Sequence, residues 1–279
     1  MEMDKKLSNS KKFGISFKVE KNLEKYIFGD TVDELIDDLA LLKDAGFINY
    51  FIRIFENLTE EQLARLDDIM LTTNNSGQIV FYARKRKNKI NTQKYQNRLI
   101  ELRNMYQLVN FAVFALQPDI EKIEDAVIAY GNAQNAVELL EKVKDVNVEK
   151  MKNFILEKQE LEQVCDLVRM LIHRNHIINQ NDLLRAKQIV INSRDMWTIR
   201  YWASSIGNVS EMEDVTVQYG DGWQIYHFAE QVKNANIEKI RKAMKQRNDI
   251  PKEIKDEFDL RFPNPTIKEK FLNWVKKKR

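Results

Sequence analysis

From about Ile48 to Asp249 the chain repeats a unit of roughly 28 residues seven times, and such a period confines it to a stacked-repeat architecture before any chemistry is considered. The clearest copy runs from Trp223 to Asp249, and its mark is an aromatic residue followed by alanine. Tyr82-Ala83, Phe111-Ala112, Trp202-Ala203 and Phe228-Ala229 keep that pair. Leu139-Leu140 and Leu167-Val168 hold the same place, and Phe55-Glu56 holds it in the first copy. The second residues of these pairs are 27, 29, 28, 28, 35 and 26 residues apart. Seven residues inserted at about His173 to Asn179, in the fifth copy, account for the long step and bring Leu183, Ala186 and Val190 onto Val148, Met151 and Ile155.

Each copy reads as two short helices. In the last one Ile225, Phe228, Ala229 and Val232 have helical spacing, and after a break at Asn234 to Asn236 the stripe resumes with Ile237, Ile240 and Met244. Gly77, Gly131, Gly220 and Gly222 fall at seams between helices, where a residue with positive φ is useful. A pair of helices about three turns long cannot bury its apolar stripe alone, so neighbouring pairs should stack. The expectation is an all-α fold: an elongated right-handed αα-solenoid of about seven helix-pair repeats over residues 48–249. Residues 1–47 read as an arm and cap helix, and 250–279 as capping helices with a basic tail. Asp30 or Thr31 can serve as N-cap, with Glu34 three residues after Thr31 in a capping-box arrangement ahead of Leu35, Leu39 and Leu42. The alternation of Phe13, Ile15, Phe17 and Val19 suits a short strand or an extended arm. Thr266 with Glu269 should cap a final helix carrying Ile267, Phe271 and Trp274.

No apolar run reaches the length of a membrane span, and the polar start MEMDKKLSNSKK has no secretory apolar stretch. With Cys165 as the only cysteine, an internal disulfide is excluded, and a cytoplasmic location is expected. The net charge of +3 hides a strong asymmetry. Residues 24–76 carry a net charge of −8, whereas residues 78–104 carry +7. The basic block is Arg84, Lys85, Arg86, Lys87 and Lys89, followed by Lys94 and Arg98 on one face of the next helix. It suits a patch for phosphate or acidic protein, or a solvated turn neutralised by the acidic first repeat. The tail from Thr266 to Arg279 adds a net +5.

Motifs for chemistry are absent: there is no GxxxxGK[ST], GxGxxG, GxSxG or HExxH. His173 and His176 have a spacing that two metal ligands can share, but a zinc site needs further ligands. His227, beside the anchor Phe228, reads as a surface or interhelical histidine rather than a base. Cys165 stands near the apolar stripe and reads as a small buried residue. Asp37-Asp38 and Asp67-Asp68 are adjacent, so their carboxylates diverge around a helix and cannot act as a catalytic pair. Tyr82, Phe111, Trp202, Phe228, Trp197 and Trp223 are all read as core, in preference to a base-stacking ladder.

The segment FAEQVKNANIEKI, Phe228 to Ile240, followed by a helix ending in Asn-Asp, resembles an α-helical repeat found in tandem in many bacterial and bacteriophage proteins. VKDVNVEKM, Val143 to Met151, is the next most similar stretch, and the first, second, fifth and sixth copies depart from the pattern. The resemblance implies a helical solenoid and a mobile-element origin, and it carries no catalytic residues or cofactor. The expected function is therefore non-catalytic: binding of a protein partner as an adaptor or inhibitor, with nucleic-acid binding through the basic block and tail as the alternative. Exposed end repeats would also allow a homodimer.

Overall fold

A computed structural model describes residues 31–55, 57–86, 89–173 and 179–263 of the chain. Among them are sixteen α-helices and no strand. They are α1 (Val32–Leu42), α2 (Ala45–Ile54), α3 (Glu60–Thr72), α4 (Ser76–Arg86), α5 (Thr92–Glu101), α6 (Met105–Phe114), α7 (Ile120–Tyr130) and α8 (Ala133–Lys142). There follow α9 (Val148–Lys158), α10 (Leu161–His173), α11 (Gln180–Ser193), α12 (Met196–Ser205), α13 (Val209–Tyr219), α14 (Gly222–Gln231), α15 (Ile237–Gln246) and α16 (Lys252–Arg261). The segment from Lys12 to Val19 and the expected last helix from Thr266 lie outside the described residues. None of the described helices is long and apolar enough to cross a membrane.

Short polar side chains start these helices. Thr31, Asp44, Thr59, Asn91, Asn104, Asp119, Asn132, Asn179, Asp195, Asp221 and Asn236 each accept a hydrogen bond from a backbone N–H of the first turn. Each such cap satisfies a donor that the helix cannot, a contribution of about 1 kcal/mol. Thr31 and Glu34 form the expected capping box.

The chain divides into two compact units, Met1–Phe154 and Ile155–Arg279, with the division inside α9. In the first unit each helix packs on its chain neighbour or on the helix two places along. The odd-numbered helices α1, α3, α5 and α7 form one row, and α2, α4, α6 and α8 form the other. In the second unit α10, α12, α14 and α16 make the even row, and α13 packs on α15.

The seventh residue of every even helix from α2 to α14 is the buried anchor: Phe51, Tyr82, Phe111, Leu139, Leu167, Trp202 and Phe228 are each at most 5% exposed. The first of these corrects the register of the sequence reading. Phe51, not Phe55, fills the place, and Phe55 caps the end of α2 with its ring 4.3 Å from that of Phe51. The two residues are one helical turn apart, so the apolar pattern fits both. The insertion expected at about His173 to Asn179 lies mostly outside the described residues; on either side of it α10 and α11 have 13 and 14 residues where α8 and α9 have 10 and 11.

Glycine does not supply positive φ at Gly77, Gly131, Gly220 or Gly222, contrary to expectation. Left-handed backbone falls instead on linker residues such as Lys43, Arg103, Asp145, Arg194, Asn208 and Asn234. Gly131 and Gly220 are required by closeness: a Cβ there would come 2.7 Å from the carbonyl oxygens of Val127 and Thr216. Each glycine ends one helix immediately before the cap of the next, at Asn132 and Asp221.

Odd helices are locked to their row neighbours by buried polar side chains at one recurring position. Glu124 of α7, 3% exposed, accepts the backbone N–H of Asn147 at 2.6 Å and faces Lys150 Nζ at 3.2 Å. Lys150 also reaches Asp125 at 2.7 Å. The second unit repeats this device: Glu213 of α13 accepts the N–H of Asn236 at 2.6 Å, and Lys239 bridges Glu213 and Asp214 at 3.1 and 2.6 Å. Hydrogen bonds to Asp125 and to Asp214 raise the pKa of Lys150 and of Lys239 respectively. Gln96 of α5 achieves the same with neutral groups, exchanging two hydrogen bonds with the backbone of Asp119. Buried polar groups so satisfied fix register, because a slipped neighbour leaves them unpaired.

Candidate functional site

The basic block is split between the two rows. Arg86, at the end of α4, turns inward: its side chain is 8% exposed, and Nε and Nη2 donate to the two oxygens of Asp67 at 3.1 and 3.3 Å. Beneath it the rings of Tyr82 and Tyr95 stack at 6.3 Å, and the Tyr95 hydroxyl lies 3.4 Å from the Asp67 carbonyl oxygen. Burial pushes the Arg86 pKa down, and the bonds and charge of Asp67 more than reverse it, so the guanidinium stays charged. Burial also pushes both tyrosine pKa values up.

Three further members serve the odd row. Lys89 meets Glu60 at 3.0 Å and Lys94 meets Asp68 at 3.2 Å. Arg98 donates to the Thr73 carbonyl at 3.0 Å and to Asn74 at 2.8 Å, and pairs with Glu101 at 2.9 Å. Lys87 lies outside the described residues. Asp67 and Asp68 diverge as the sequence implies, one toward Arg86 and one toward Lys94.

Arg84 and Lys85 are different. Both are exposed and lie over aromatic rings, Arg84 5.0 Å from the centre of Phe114 and Lys85 4.7 Å from that of Phe81. Arg53 on α2 repeats the arrangement over Tyr50 at 5.0 Å. None of α2, α4 and α6 contains a carboxylate, whereas α1 and α3 together hold eight, so the charge asymmetry of the sequence is arranged across the rows.

The even helices also expose large aromatic groups at matching positions. Tyr106, Trp197 and Trp223 are the second residues of α6, α12 and α14, and are 51%, 57% and 46% exposed. Phe81, Tyr201 and His227 are the sixth residues of α4, α12 and α14. Trp197 stacks on Tyr201 at 5.8 Å, and Trp223 on His227 at 6.0 Å. The reading of Trp197 and Trp223 as core is thus overturned, while Tyr82, Phe111, Trp202 and Phe228 are buried as expected. Position along the even helix separates the two sets: the seventh residue points inward, the second and sixth outward.

No protein-family model, curated protein or solved structure matches this chain. What the site can do therefore rests on its own groups. Cys165 is buried, and burial with nearby Asp166 pushes its thiol up to about 12, which suppresses the reactive thiolate. Among the described residues no group of three or more His, Cys, Asp or Glu is placed to hold a metal ion. His176 is outside the described residues, and His173 is the last residue of α10.

Proposed function

We propose that this chain is a non-catalytic interaction protein that binds a protein partner, as an adaptor or inhibitor, through the outward side of its even-numbered helices. In this reading each unit is a stretch of right-handed αα-solenoid. The pairs α2–α3 to α14–α15 are the seven sequence repeats, with α1 and α16 as caps.

The observation that carries it is the recurrence of exposed Tyr106, Trp197 and Trp223 at one helix position, with exposed Phe81, Arg53 and Arg84 on even helices of the first unit. Trp, Tyr and Arg are the side chains that concentrate binding energy at protein interfaces, because they bury much area with few torsions to freeze. Within the first unit α6 carries Tyr106, and within the second α12 and α14, which pack on each other, carry Trp197 and Trp223, so each unit offers a partner aromatic groups at the same helix position. Nucleic-acid binding is the weaker reading, since Arg86, Lys89, Lys94 and Arg98 already hold groups of this chain.

The test is capture of tagged protein from its native host lysate, with and without nuclease. The expected result is a stoichiometric protein partner that survives nuclease. Recovery of nucleic acid alone, lost as salt rises, would replace this reading with the alternative.

A further inference from the structure

Building on that reading, we infer that the face made by α2, α4 and α6 takes an acidic, apolar-anchored segment of the partner protein. Arg53, Arg84 and Lys85 stand exposed on these helices, which pack on one another and carry no carboxylate. With cations and no carboxylate on its own three helices, such a face has a built-in preference for anionic partners.

The cations are pre-positioned. Each lies within 5.0 Å of the centre of a ring, Tyr50, Phe114 or Phe81, which attracts it by its quadrupole and restricts long side chains before any ligand arrives. Ordering cost on binding falls accordingly. Around them Tyr106 and Val113 are 51% and 49% exposed, offering apolar seats for leucine or aromatic groups of the same segment.

A nucleic acid fits less well. The rings of Tyr50, Phe81 and Phe114 each have one face covered by a cation of this chain, so bases find few open stacking platforms. The three cations described on this face would also neutralise only about three phosphates, too few for firm binding at physiological salt.

The test uses the full chain and a fluorescent peptide of alternating glutamate and leucine, with a glutamate-to-lysine version and an oligothymidylate as comparisons, read by anisotropy. The acidic peptide should bind and weaken with salt. Arg53→Glu/Arg84→Glu/Lys85→Glu, checked for native circular dichroism, should lose about tenfold or more in affinity. Lys89→Glu/Lys94→Glu, on the odd row, should stay within about twofold. Absence of peptide binding, tighter binding of the oligothymidylate, or equal loss in both variants would overturn the inference. A lysate partner that the triple variant still captures would leave the interaction reading standing and remove only this face.

Discussion

Arg86→Met lowers folding stability by about 3–5 kcal/mol, because it strands the Asp67 carboxylate in a site that water barely reaches. Asp67 is 15% exposed at its side chain and lies beside Tyr95, with Arg86 as its bidentate partner. Removing the guanidinium leaves that charge without its counter-ion, and the carboxylate must then stay uncompensated or take up a proton. Removing both charges is different. Asp67→Leu/Arg86→Met should recover most of the loss, since desolvation of the pair offsets much of its attraction. Urea titrations of the wild type, both single variants and the double variant supply the cycle. A loss below about 1 kcal/mol for Arg86→Met would mean that Arg86 is solvated and belongs to the surface.

Phe111→Ala costs about 3–5 kcal/mol, the value for a large ring deleted from a core that cannot collapse around the gap. Phe111 is fully buried on α6, which packs on α4, α5, α7 and α8. The same substitution at Phe51 and Phe55 decides the register of the first repeat. Phe51→Ala should resemble Phe111→Ala, whereas Phe55→Ala, a half-buried cap residue, should cost about 1 kcal/mol or less. Thermal or urea unfolding measures all three, and the reverse ranking would restore the pair Phe55-Glu56 as the anchor.

Helical periodicity and capping made the helix pairs legible in the sequence, where five of the six steps between successive anchor pairs lie within two residues of 28. It failed at the first copy because Phe51 and Phe55 both lie on the same helical stripe. The motif ANIEKI is now physically intelligible: Asn236 caps α15 and gives its N–H to Glu213, and Lys239 reaches back to Glu213 and Asp214. Nothing in the local sequence shows that partner, which lies 23 residues earlier on a neighbouring helix.

The site was less legible for the same reason. Acidic and basic blocks adjacent in sequence suggest neutralisation, but only alternation of rows decides which charges meet. Lys89 and Lys94 follow α4 and return to the side of α3, where Glu60 and Asp68 receive them. Arg84 and Lys85 stay on the other row, over rings and on a helix without a carboxylate. Trp197 and Trp223 were misread because an aromatic residue at a helix start fits either face until the inward position of the seventh residue is known.

The most direct measurement is hydroxyl-radical footprinting of the purified complex against the free protein. Binding through the even-numbered helices predicts that the partner shields Phe81, Tyr106, Trp197 or Trp223 while Leu41, Tyr130 and Leu184, exposed on odd helices, keep their reactivity. Unchanged reactivity at all four aromatic residues, with shielding of Leu41, Tyr130 or Leu184, would contradict it.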